Sequence, residues 1–261
     1  MHISILDIYH ARESLIHKLD PRVKILASFI IILTTVILPE GAWVSQGVLF
    51  GLLILLSISA RLGPFFTIRR AFIALPFLLA ALPIPFLTSG PTAWVVPGLG
   101  WVVSSNGLIR FMTILVRTWV AVQAGILLSA TTEVSDLLWG LNALRAPKLI
   151  VTIIGFMVRY LFILADEALR MLRARTSRSP KLAGVKRPGL IWQGRVAGMM
   201  VGNLFLRSLE RSERVHAAML SRGYDGEMRI FHQPSMKNLD WIMLLSILSI
   251  ALSVIVLSLW S

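Results

Sequence analysis

The chain of 261 residues contains no cysteine, which excludes a disulfide framework and any thiolate metal site. Charge is also scarce. Only 15% of the residues are charged, against about a quarter in a soluble domain. Acids are the scarcer sign, 13 against 26 lysines and arginines. No G-x-x-x-x-G-K-[ST] stretch occurs, so no ATP is bound through a P-loop. H-E-x-x-H and G-x-S-x-G are missing as well, and no catalytic residue is assigned. The five histidines are His2, His10, His17, His216 and His232. None of them forms a close helical pair, so no metal site is expected. The opening "MHISILDIYHARESLIHKLD" has no apolar h-region, and no cleaved signal peptide is expected.

What is present is apolar. Hydrophobic residues make up 56% of the chain and the mean hydropathy is +0.76, so apolar surface must face lipid. A spanning helix needs roughly 20 mainly apolar residues. Five stretches qualify: Val23 to Leu38, Ala42 to Ala60, Ala71 to Leu87, Leu108 to Ala130, and Leu239 to Trp260. The third is interrupted by Pro76, Pro83 and Pro85. The expectation is an all-α polytopic membrane protein in contact with the lipid bilayer. Acids within the spans are nearly missing, since Glu40 and Asp240 lie at ends. That argues against a proton-coupled secondary transporter, which relies on intramembrane carboxylates.

The net charge is +13 with a pI of about 11.3. In a soluble protein this would suggest nucleic acid. In an apolar chain it reads as the positive-inside bias, and no nucleic-acid partner is expected. Arg12, Lys18, Arg22 and Lys24 precede the first span, and Arg61, Arg69 and Arg70 lie between the second and third. The 39–41 turn and the 88–107 loop carry no lysine or arginine. The N-terminus is therefore placed in the cytoplasm and these two loops outside. Residues 131–237 hold 17 of the 26 basic residues. Spanning at Leu149–Leu164 would put most of that charge outside, so the run is read as an amphipathic helix on the cytoplasmic side. Six spans are the structural alternative. Three parts follow: 1–130 with four spans, 131–237 as a cytoplasmic helical domain, and 238–261 as a last span with its end outside. Trp94 and Trp101 in the 88–107 loop read as interface anchors.

The cytoplasmic part is expected to be built from long helices. Thr132 and Ser135 are candidate N-caps for a short helix through Leu144. Pro147 suits the first turn of the next, which should run to about Thr176, roughly 45 Å. Asp166 and Arg170 stand four apart on its charged half. The basic linker 177–189, "SRSPKLAGVKRPG", breaks the helix. A third helix from about Ile191 to Arg222 carries Gly194, Gly198 and Gly202 on one face, a stripe suited to close helix packing. Glu210 and Arg214 can pair along it, and Gly223 suits the C′ position. Each long helix ends in an arginine, Arg175 and Arg222. Within the fourth span, Arg110 near the outer end can snorkel. Arg117 lies deeper, as a possible intramembrane polar site. It is open to three roles: bonding carbonyls of a broken helix such as the third span, facing a partner subunit, or touching substrate.

Three stretches carry a family resemblance covering nearly the whole chain. "HKLDPRVKI" at 17–25 resembles the N-terminal motif of the T components of energy-coupling factor (ECF) ABC transporters. "RYLFILADEALRMLRART" at 159–176 resembles their first long coupling helix, and "LFLRSLERSERVHAAMLSRGYDG" at 204–226 resembles the CbiQ branch. The resemblance implies a non-catalytic transmembrane scaffold in the prokaryotic cell membrane. Two ABC-type ATPase subunits, which bind ATP and Mg, would dock below, and a separate small substrate-binding membrane (S) subunit would capture the cargo. The family's two X-Arg-X coupling motifs map onto Ala174-Arg175-Thr176 and Ser221-Arg222-Gly223. The usual form has Ala before each arginine, so Ser221 departs from it, and Thr176 departs from the commoner Ser or Arg. CbiQ-like members imply cobalt or another divalent metal as cargo, with a vitamin as the alternative. A self-sufficient secondary transporter is the competing class.

Overall fold

A computed structural model describes residues 14–95, 102–178, 189–226 and 236–260. The chain divides into two compact units, one containing Arg145–Phe231 and the other Ser4–Leu144 with His232–Ser261.

The larger unit holds α1 (Pro21–Ile37), α2 (Trp43–Ser59), a broken apolar segment, α6 (Ser105–Thr131), α7 (Val134–Ala143) and α10 (Asn238–Trp260). Pro21 opens α1, and the Asp20 carboxylate accepts from the Arg22 N–H as its N-cap, which satisfies one orphan donor of the first turn. Prolines break the third apolar stretch, because each lacks an N–H and its ring clashes with the preceding turn. The result is α3 (Pro64–Ala71), a 3-10 turn Phe72–Ala74, α4 (Leu75–Ala80) and α5 (Ile84–Leu87). Phe72 packs edge-on against Trp119 of α6, ring centroids 5.2 Å apart. A Cβ at Gly107 would sit 2.8 Å from the Pro85 Cα, so only glycine lets α5 lie this close to α6. Between them the 88–107 loop contains a short antiparallel hairpin, β1 (Thr92–Val95) with β2 (Val102–Ser104), in which Trp94 pairs with Val103. Trp101 and the Trp94 side chain lie outside the described residues.

The core forms where α1, α2, α6 and α10 meet. Val120, Ala124, Leu127 and Ala130 line one stripe of α6, and Ile247 and Val254 one stripe of α10, against Ile31, Leu38, Leu49 and Leu53. The three- and four-residue spacings put each set on a single helix face. The opposite face of α10 keeps Leu245, Leu248, Leu252 and Leu259 exposed, as a lipid-facing surface must. Three described helices are long and apolar enough to cross a membrane: α6, α10 and α8 (Lys148–Arg178). The bent segment Phe65–Leu87 makes a fourth if taken as one span. α1 and α2, at 17 residues each, extend about 26 Å. The stretch Leu149–Leu164 is thus the first part of one uninterrupted 31-residue helix, and by length and composition that whole helix meets the same standard as α6 and α10.

The "HKLDPRVKI" motif becomes a buried polar knot. The Asp20 N–H donates to Asp240 Oδ1 at 2.9 Å, and the Lys237 N–H to Asp240 Oδ2 at 2.8 Å. Lys24 Nζ donates to the carbonyls of His17 and Thr131, each at 3.0 Å. The second of these closes the C-terminus of α6, whose last carbonyls have no partner within the helix. The Arg22 guanidinium stacks 4.4 Å from the Trp139 ring on α7, a cation–π contact. α7 starts one residue later than Thr132 would place it. Its N-cap is Glu133 without a side-chain bond, and Thr132 instead ends α6.

Candidate functional site

The second unit is built from α8 (Lys148–Arg178) and α9 (Leu190–Leu220), 31 residues each. Pro147 precedes α8, and the Ile150 and Val151 N–H groups donate to its carbonyl. α8 extends to Arg178, beyond the expected Thr176. Residues 179–188 of the linker lie outside the described residues.

Arg175 sits in the last turn of α8, half-buried, with its guanidinium carbon 6.0 Å from the Trp192 ring in the first turn of α9. Ala174 and Thr176 beside it are exposed, and the Thr176 hydroxyl donates to the Arg173 carbonyl at 2.8 Å. Arg222 lies at the other end of α9. There Gly223 has φ +79°, its N–H donates to the Leu220 carbonyl, and the Tyr224 N–H donates to the Met219 carbonyl. These two bonds are a Schellman motif with Gly223 at C′. Arg222 is therefore the C-cap residue, exposed between Ser221 and Gly223. The Ser221 hydroxyl bonds back to the Ala218 carbonyl at 2.9 Å.

The two arginines are not neighbours. Arg175 lies against the start of α9, and Arg222 ends it 30 residues beyond Trp192, about 45 Å along the axis. The helices run past each other in opposite senses, and Glu167 joins them. One of its carboxylate oxygens accepts from Arg170 on its own helix, and the other from Arg207 of α9 at 2.8 Å. The expected Asp166–Arg170 pair does not form, because Glu167, three residues before Arg170, takes its guanidinium. No ion pair joins Glu210 to Arg214 among the described residues. Arg170, Arg175, Arg178 and Arg207 line the groove between α8 and α9, with Glu167 as its acid.

The glycine stripe lies elsewhere. A Cβ on Gly194, Gly198 or Gly202 would meet nothing within 4 Å, so the stripe does not make the contact between α8 and α9. Val196, Met200, Leu204 and Ser208 are the half-buried row of α9. Each glycine is two residues from a member of that row, about 200° around a helix of 3.6 residues per turn. The stripe faces away from α8, continuous with exposed Ile191, Phe205 and Leu209.

Arg117 belongs to the larger unit. Its Nη2 donates to the Leu38 carbonyl at the end of α1, not to the proline-broken third segment. Thr113, one turn earlier on α6, accepts from the Gly41 N–H at 3.3 Å. Together they close the turn after α1. Arg110 pairs with Glu40 at 3.2 Å on the surface. Sequence reasoning missed Glu167, Arg207 and Trp192. The period-four spacing of Glu167 with Met171 and Arg175 was a visible signal for the first, but no local pattern names a partner 40 residues away.

A profile of the CbiQ family, described as "Cobalt transport protein", matches residues 12–233. The chain belongs to the CbiQ family. It is 27% identical to the energy-coupling factor transporter transmembrane protein EcfT of Lactobacillus helveticus, over 85% of this chain and 81% of that protein. It is 29% identical to the cobalt transport protein CbiQ of Rhodobacter capsulatus, over 63% of this chain and 67% of that one. An uncharacterized protein of Methanocaldococcus jannaschii is 29% identical over 72% of this chain, and the match spans 65% of that protein's length. Family membership and the apolar helices make this a CbiQ-type transmembrane component of ECF transporters, a multi-pass membrane protein.

Proposed function

We propose that this chain is the non-catalytic coupling subunit of an ATP-driven importer. Two ABC-type ATPase subunits, carrying ATP and Mg, engage the tips at Arg175 and Arg222, and a separate small membrane (S) subunit binds the cargo. The observation that carries the reading is the placement of the two arginines on opposite sides of the Glu167–Arg207 contact, Arg175 facing Trp192 in the first turn of α9 and Arg222 just past its last. One arginine to each of two ATPases fits that separation better than one shared site. Arginine is permanently charged and presents five donors in a rigid fork, which suits gripping acids or carbonyls on a moving partner.

The cargo is cobalt or another divalent metal, supported by the name of the family and of the Rhodobacter relative. The unpartnered glycine stripe, with its flanking apolar side chains, is a surface to which a helix of the S subunit can approach closely. The charge count of 131–237 supports a cytoplasmic α8 and α9, a cytoplasmic N-terminus and an external C-terminus. The test is uptake of radioactive cobalt into proteoliposomes. Uptake is expected only when the chain is reconstituted with both ATPases, the S subunit and ATP. Uptake by this chain alone would establish a self-sufficient transporter instead.

A further inference from the structure

We infer that Glu167 is the positioning residue that sets the separation of the two arginine tips. The inference rests on the coupling role proposed above for Arg175 and Arg222. Glu167 stands 8 residues before Arg175 and Arg207 stands 15 before Arg222. The clamp is therefore a pivot with unequal arms, about 12 Å and 22 Å along the two helices. A single exposed ion pair contributes little. Here, however, both oxygens of one carboxylate are occupied by guanidiniums from different helices; the Glu167 side chain is 16% exposed and those of Arg170 and Arg207 are 57% and 64% exposed, so the geometry of the shared acid and not burial sets this contact apart. Four arginines line the groove around this acid. Without it, Arg170 and Arg207 face each other as like charges, which drives the helices apart at their crossing. The glycine stripe cannot hold them, since it faces away from α8. The pivot thus fixes how movement imposed at one tip reaches the other.

The absence of cysteine makes the test direct. Spin labels are placed at Ser177→Cys and Tyr224→Cys in the full chain in nanodiscs, and the distance between them is read by pulsed electron double resonance. The unaltered clamp is expected to give one narrow distribution. Arg207→Glu or Glu167→Arg alone should broaden it and move its centre, and the reversed pair Glu167→Arg with Arg207→Glu should restore both. An unchanged distribution in Arg207→Glu would overturn the inference, as would a reversed pair that stays as broad as the single variants. ATP-driven uptake by the same variants in the reconstituted complex separates this idea from the reading beneath it. A changed distance with unchanged uptake refutes coupling through the tips, whereas an unchanged distance refutes the pivot.

Discussion

Replacing Asp240 should unfold the larger unit at lower temperature, by an amount its geometry sets. The residue is 2% exposed, and its two oxygens each accept one backbone N–H, from Asp20 and from Lys237. Asp240→Asn keeps one acceptor and turns the other position into a donor that faces an N–H. One buried or half-buried N–H is then unsatisfied, which costs about 1–3 kcal/mol. Asp240→Ala strips both acceptors and should cost about twice that, roughly 2–6 kcal/mol. At about 2–4 °C per kcal/mol for a chain of this size, a central loss of about 2 kcal/mol lowers the melting temperature of the Asn variant by roughly 4–8 °C. Tryptophan fluorescence during heating in detergent measures it, and the chain has 8 tryptophans. Glu213→Gln, an exposed acid on α9, is the control and should leave the transition in place. An Asn variant melting with the wild type would refute the knot as a stabilising element. An Ala variant no worse than Asn would refute the two-bond arithmetic.

Other perturbations separate the surfaces. Gly198→Ala should stabilise α9 in the isolated chain by up to about 1 kcal/mol, since its Cβ meets nothing. Gly198→Leu should weaken retention of the S subunit in co-purification while leaving the ATPases bound, and equal loss of both would contradict the stripe's role. Gly223→Ala places a side chain at φ +79° and should cost about 1–2 kcal/mol, seen as earlier loss of α9 amide protection in hydrogen exchange. An alkaline phosphatase fused after Trp260 should be active, since activity requires an external position, and an inactive fusion would reverse the proposed orientation of α10.

Local chemistry was legible in the sequence wherever one residue decides the backbone. Pro147 precedes α8, and Gly223 ends α9 as its C′ residue. Arg222 stands at a helix end for the same reason. What the sequence did not show depends on partners far along the chain. Glu167 finds Arg207 across 40 residues, and Asp240 caps the Asp20 N–H across 220. Arg117 reaches Leu38 because α6 lies against the end of α1, a fact of packing and not of spacing. The glycine stripe was visible as a stripe. Which face of α9 met α8 was set by Val196, Met200 and Leu204, and that preference is apparent only once α8 is in place. The 88–107 loop read as turn-rich, and its two strands pair by backbone bonds that its Gly, Pro and Ser content obscures.

Coupling through the two arginine tips is tested most directly by the number of ATPase subunits held by the intact complex. Native mass spectrometry of the wild-type complex should show two ATPases and one S subunit per chain. The Arg175→Ala, Arg222→Ala double variant should retain the S subunit and lose the ATPases. Two ATPases bound to the double variant, with ATP-driven cobalt uptake at the wild-type rate, would contradict the claim that these tips couple the chain to its motor.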